Sequence, residues 1–358
     1  MSIKINDQLA PFSHEKGIKA LIPGSSWQVT AYPAKIILEN IYSKELYFRK
    51  EIGLDLKEIS SEFTVLLNIE REFINIFGKT KDFYYSYRLI ISTGELVLFV
   101  DRCGRDGLNF TIDGAEKKLK RKGELIIPIN SDIIGTDCVE KVHLGSSKKQ
   151  DWTLVTRRMN LKEIIPYWFK LGFQSPDSPP FEGGSANYIA RCQELLKEND
   201  KNNIGQALIN CFKCCFQGVF SPRVIDEDYN LRSADNKLDG SPFYILKAGA
   251  KIIRNLFIQT NKNGIKILPC LPTEIHSGRA IGLLCGSEII LDMEWSKKLI
   301  KSVVILAKKD CTLNFEFQKS IKSFRFRSNL KSKGTRIDSG QPISFELGKK
   351  YILDNFHK

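Results

Sequence analysis

Apolar residues recur at every second position through roughly the first 150 residues, at every third or fourth position from 161 to 258, and at every second position again from 264. A strand sends successive side chains to opposite faces, whereas a helix returns to one face after three or four residues. A chain patterned in that order is constrained to fold as sheet, then helices, then sheet. In the first stretch Trp27, Val29 and Ala31 alternate with Gln28 and Thr30 until Pro33 interrupts the run. Further strand-type runs span 46–52, 63–69, 73–77, 83–92, 95–100, 108–112 and 124–129. The gaps carry turn residues: Gly78, Thr93-Gly94, Gly104 to Gly107, Asp113-Gly114 and Gly123. About eight short strands at this spacing predict an antiparallel β-sandwich over residues 1–150.

The middle, residues 151–263, predicts about four helices. Asn160 and Glu163 have capping-box spacing ahead of Leu161, Ile164, Ile165, Trp168 and Leu171. Ser175-Pro176-Asp177-Ser178-Pro179-Pro180 then breaks the chain. Ile189, Cys192, Leu195 and Leu196 mark a second helix, and Ile204, Ala207, Leu208, Cys211 and Cys215 a third. After a polar loop at 221–240, Ser241-Pro242 opens a fourth through Ile245, Ala248, Ile252 and Leu256. From 264 to 358 the period of two returns. Ile289, Leu291, Met293 and Trp295 share one face of a strand at 288–295, which puts Trp295 inside a C-terminal β core. The expectation is therefore a multi-domain α and β protein: N-terminal β-sandwich, short helical middle, C-terminal β-sandwich-like domain.

Several functional classes lose support at this level. No window approaches the ~18 consecutive apolar residues of a membrane helix. The N-terminus, Met1 to Gln8, lacks the basic-then-apolar layout of a secretion signal, so a cytoplasmic protein without membrane attachment is expected. Nine cysteines, an odd number without regular spacing, argue against a disulfide framework. Cys211, Cys214 and Cys215 resemble half a metal site, but His14, His143, His276 and His357 are scattered and complete no ligand set. No metal or cofactor is expected. The net charge of +13 raises the question of nucleic acid. Its lysines and arginines are spread along the chain, and the run at 117–122 reads as a solvated hairpin tip, so nucleic acid is not the expected partner. Serine-hydrolase, P-loop and dinucleotide-binding motifs are absent from the sequence.

Two constellations carry possible chemistry. Asp226-Glu227-Asp228 lies in the 221–240 loop with Arg223, Arg232, Asp235 and Asp239. Paired carboxylates there could serve acid–base chemistry, with Asp226 and Asp228 as the catalytic candidates, or form a solvated acidic loop. Asp151-Trp152 joins the β half to the helices. The indole could stack on a sugar while the carboxylate binds hydroxyls, or the pair could seal the junction. Asp151, Trp152 and Arg223 are the ligand-binding candidates.

A resemblance emerges further along. Leu256 to Pro272, with Leu268-Pro269-Cys270-Leu271-Pro272 at its end, leads into Ser277-Gly278-Arg279-Ala280-Ile281-Gly282-Leu283 and then Ile289 to Trp295. Over roughly 60 residues this resembles the end of the catalytic barrel and the start of the last β domain in the fucosidase-like glycoside hydrolases of family 95. Those enzymes read there as Leu-Leu-Pro-Ala-Leu-Pro, Gly-x-x-x-Gly-Leu and a strand ending in Glu-Trp. The resemblance implies a carbohydrate-related protein with the order β domain, helices, β domain. The family's barrel has twelve helices, and residues 161–258 have room for only four. Where the family has a His-Asp-Gly-like stretch, this chain has Asn261-Lys262-Asn263-Gly264, so no catalytic residue carries over. Three readings follow: a non-catalytic protein binding a glycan or a partner, a reduced but active glycosidase, or a basic interaction protein docking an acidic protein partner.

Overall fold

The computed structural model describes residues 2–42, 48–56, 61–129, 139–145, 150–231, 240–261, 264–329 and 331–358. Two six-stranded antiparallel sheets form the N-terminal half. One runs in spatial order Phe12–Ser13, Ser61–Asn68, Phe73–Lys79, Tyr84–Ser92, Glu95–Arg102, Glu124–Ile127. The other runs Ala115–Leu119, Leu108–Ile112, Arg49–Asp55, Lys35–Asn40, Trp27–Tyr32, Ile18–Leu21. Alternation decides which side chains go in. Leu96, Leu98 and Val100 of one sheet and Ile36, Leu38 and Ile52 of the other belong to one buried core.

The basic run at 117–122 is more than a turn. Asp113 and Gly114, both at positive φ, make the two-residue hairpin loop. Lys117, Lys118 and Leu119 then pair with Phe110, Asn109 and Leu108 as an edge strand. Exposed lysines on an edge oppose pairing with another chain.

Five helices follow among the described residues: α1 (Trp152–Arg158), α2 (Leu161–Phe173), α3 (Ala186–Lys197), α4 (Ile204–Cys215) and α5 (Phe243–Phe257). The additional one, α1, is too short to show a helical period. Its ends are set by capping instead: the Asp151 carboxylate accepts from the Leu154 amide (3.4 Å), and Met159 closes it in the left-handed region. Helices α2 and α5 cross closely because Gly249 leaves room for Trp168; a Cβ there would lie 2.1 Å from the indole.

The C-terminal part holds two sheets. The larger runs Lys141–His143, Gly278–Cys285, Ile289–Ser296, Leu299–Ala307, Lys350–His357, Ser323–Arg327, Thr335–Asp338, antiparallel throughout. The smaller runs Ile258–Asn261, Gly264–Ile267, Cys311–Glu316, Pro342–Phe345 and includes one parallel pair, Gly264–Ile267 beside Cys311–Glu316. The strand at 289–296 buries alternate residues as its sequence predicts, and Trp295 is 1% exposed. Its ring lies 5.3 Å from that of Phe257, and it is paired with Gly278, where a Cβ would come within 2.4 Å of the indole. Lys141–His143 precedes the helices in sequence yet forms the edge of this last sheet, so the chain before α1 stitches the two β regions together. Among the described residues no helix is long and apolar enough to cross a membrane.

Candidate functional site

The hairpin after α4 sets the local geometry. Phe216–Gln217 and Ser221–Pro222 pair across Gly218, Val219 and Phe220, with Gly218 and Phe220 at positive φ. The hairpin docks on the N-terminal sandwich: Val219 N–H donates to Lys19 O at 2.7 Å. A Cβ on Gly218 would sit 2.1 Å from that same carbonyl, so only glycine allows the approach. Ser221 Oγ completes the seam by donating to Gln28 Oε1.

Arg223 then turns back over the end of α4. Its backbone N–H donates to Cys215 O (2.8 Å), its Nε to Cys214 O (2.8 Å) and its Nη2 to Lys213 O (3.3 Å). A guanidinium at a helix C-terminus satisfies carbonyls that lack helical partners and opposes the negative end of the dipole. The remaining fork holds both catalytic candidates, Asp226 Oδ1 at 2.7 Å and Asp228 Oδ2 at 2.5 Å. The two aspartates differ sharply in surroundings. Asp226 is buried, with 6% of its side chain exposed, and also accepts from Asn230 Nδ2 (3.0 Å) and Leu231 N–H (3.3 Å). Asp228 is 66% exposed. Arg232, Asp235 and Asp239 lie outside the described residues.

Trp152 is buried among Phe220, Phe212 and Tyr167, at ring separations of 5.1, 5.9 and 6.3 Å. Part of it also lines a groove of about 270 Å³ where α1, the end of α4 and the N-terminal segment meet. Asp228 lines the same groove, as do Phe212, Phe216, Asn230 and Glu15. Glu15 Oε1 accepts from Thr153 Oγ1 at 3.2 Å, which holds that carboxylate against α1. The structure therefore brings Trp152 and Asp228 to one surface. Asp151, Arg223 and Asp226 lie behind it, capping a helix and bracing the loop.

Sequence reasoning missed Glu15. It sits in a polar turn with Gly17 at positive φ, and only the docking of the hairpin on Lys19 brings that turn opposite residue 152. Phe212 and Phe216 were readable as apolar positions, but nothing local marked them as groove walls.

The cysteine cluster is closed to chemistry of this kind. Cys211 Sγ and Cys215 Sγ are 3.4 Å apart and buried. Burial pushes the Cys211 thiol well up, and pushes Cys214 up to about 11. Thiols so shifted are protonated near neutral pH and poor nucleophiles. Among the described residues no three His, Cys, Asp or Glu side chains converge as a metal site.

Residues 259–353 match the family model of glycoside hydrolase family 95, C-terminal domain. No curated protein matches the chain. The match begins in the strand Ile258–Asn261 and ends in Lys350–His357, so it takes in the C-terminal sheets apart from the edge strand at 141–143. It confirms the resemblance carried by Leu268 to Pro272, Gly278 to Leu283 and Trp295. The C-terminal region is thus glycoside hydrolase-related. Trp152, Asp228 and the groove precede the family 95 match and are not covered by it.

Proposed function

We infer that the groove beside Trp152 binds a sugar and that the protein is a glycan-binding relative of carbohydrate-active enzymes without their turnover. The observation that carries this reading is the meeting of Asp228, Glu15 and Asn230 in one groove with the edges of Trp152, Phe212 and Phe216, rings that are otherwise buried. Pyranose rings present an apolar C–H face to aromatic side chains and hydroxyls to carboxylates and amides. Asp228 uses Oδ2 on Arg223, while its Oδ1 has no hydrogen-bond partner among the described residues and is free to accept from a hydroxyl. Glu15 and the Asn230 Oδ1 supply further acceptors, while the Asn230 amide group donates to Asp226 and Lys213 O.

The way the acids are held supports the absence of turnover. A glycosidase needs an acid and a base or nucleophile on opposite sides of one bond, in a rigid frame. Asp226 is enclosed by Arg223, Asn230 and Leu231, and both aspartates accept from the same guanidinium. Five helices among the described residues are also far short of the twelve in the family's catalytic barrel.

The test combines binding and turnover. A panel of neutral oligosaccharides, fucosylated ones included, is titrated while tryptophan fluorescence is followed. A ligand that changes the emission of wild type but not of Trp152→Phe, and binds at least about tenfold more weakly to Asp228→Asn, supports the groove. Hydrolysis of aryl glycosides by wild type, lost in folded Asp228→Asn or Glu15→Gln, would replace this reading with a reduced glycosidase.

A further inference from the structure

The outer face of the first N-terminal sheet carries a second constellation, remote from the groove. Strands Tyr84–Ser92 and Glu95–Arg102 pair regularly until Tyr87 meets Val100; the next pair is Ser86 with Arg102, so Asp101 is an extra residue. A strand ordinarily sends neighbours to opposite faces, and such a bulge is how two consecutive side chains reach one side. Asp101 and Arg102 accordingly line one cavity of about 460 Å³ with Asn75, Phe77, Tyr84 and Arg121. Without the bulge, Arg102 would point toward the sandwich core.

The charges on this face of the sheet are sorted. Arg88, flanked by the rings of Phe99 (4.9 Å) and Phe73 (5.3 Å), forks onto Asp101 at 2.7 and 2.9 Å and neutralises it. Arg102 and Arg121 have no carboxylate partner among the described residues. The backbone of the Arg121 turn is held all the same: Lys122 N–H donates to Val100 O (2.8 Å) and Val100 N–H to Gly123 O (2.9 Å), clamping the turn to the strand edge and leaving the Arg121 side chain exposed. Ser86 Oγ donates to Asn75 Oδ1 at 2.8 Å, which leaves the Asn75 amide hydrogens to donate. Tyr84 is exposed beside them, with Lys79 Nζ 5.2 Å from its ring centre.

We propose that this face binds an acidic oligosaccharide, its carboxylates on Arg102 and Arg121 and a sugar ring against Phe77 and Tyr84. Two paired-off charges and two free guanidinia select an anion, and guanidinium forks match carboxylates in geometry. The separation of apolar rings from cationic groups fits a uronic acid, whose ring has a C–H face and whose carboxylate projects from one edge. The site is independent of the groove beside Trp152 and stands whether or not that groove binds.

The experiment is a calorimetric titration of the full chain with tetragalacturonate, its methyl ester and an oligothymidylate of equal charge. Tetragalacturonate should bind, with the ester at least about tenfold weaker because the charge-assisted bonds are lost. Arg102→Ala/Arg121→Ala should weaken tetragalacturonate about tenfold or more, and Tyr84→Ala should weaken both sugars. Lys331→Ala/Lys333→Ala, which removes two exposed charges elsewhere, should change nothing. Thermal melts check that the variants fold, which the exposed positions of Arg102, Arg121 and Tyr84 favour. The proposal is overturned by no binding of tetragalacturonate. It is equally overturned by equal loss in the lysine control, or by oligothymidylate binding as tightly and depending on the same arginines.

Discussion

The strand at 289–296 and the loop at 221–231 each hold acidic side chains in fixed positions, and they do so by opposite means. The strand relies on repetition: four apolar residues face inward and the polar ones fall outside by default. The loop has no repeat and relies on one guanidinium that ties Asp226, Asp228 and the end of α4 together. Regular structure spreads its stability over many contacts, whereas an irregular segment concentrates it in a few polar bonds. The largest expected effect tests the first half of that comparison. Trp295→Ala should destabilise the protein by about 3–5 kcal/mol, since the indole packs on Phe257 and closes over Gly278. Urea denaturation measures it, and an unchanged midpoint would mean that the C-terminal core does not depend on its largest inward residue.

The second half is tested by the two aspartates. Removing one partner of a buried ion pair leaves the other charge unmatched, so Asp226→Ala should cost about 3 kcal/mol. Asp228→Ala removes an exposed partner of the same arginine and should cost less than about 1 kcal/mol. The contrast between 6% and 66% exposure of the two side chains is what separates these figures. Equal losses would show that burial does not distinguish them and that the loop is held by something other than Arg223. The same pair separates structure from function, because Asp228 is also the residue offered to the groove.

How much of this was legible in the sequence depends on the distance over which each feature is decided. Sandwich, helices and C-terminal sheets were readable because period is a local property, and Ile289, Leu291, Met293 and Trp295 stand two residues apart. The family resemblance was readable too, because Leu268 to Pro272 and Gly278 to Leu283 are contiguous signals. Helix α1 was missed because seven residues give no period, although Asp151 ahead of Trp152 was a usable cap signal. The strand at 141–143 was missed because three residues at a sheet edge owe their form to Gly278–Cys285, far along the chain. The groove had the same fate. Glu15 lies far before α1 in the sequence and Asp228 well after it, and no pattern within either segment records the meeting. Arg223 and Asp226 carried a partial signal, since the spacing of three between opposite charges is short enough to close. What the spacing could not tell is that their closure faces inward and braces α4.

The smallest expected effect lies in the strand itself and is read by pH. Asp292 stands between the inward residues Leu291 and Met293, and its Oδ1 accepts from Gly282 N–H at 2.8 Å. Burial pushes its carboxyl above the ordinary value, against the Gly282 N–H and the Lys350 charge, which both pull it down. The folded state therefore holds this proton more tightly than the unfolded chain, whose aspartates titrate near ~3.9. Its contribution to stability is fully present below that unfolded value and falls away as pH rises through it to the folded value. Asp292→Asn keeps an oxygen to accept from Gly282 but has no proton to lose, so this share of the pH dependence should vanish. Urea melts of both proteins from about pH 3 to about pH 7 should show wild type losing stability relative to the variant as pH rises, then a constant difference. A difference that runs the other way would mean that the Gly282 hydrogen bond outweighs burial. The regular strand would then be holding its acid as the loop holds Asp226, by a polar bond and not by default, and the contrast between the two regions would narrow.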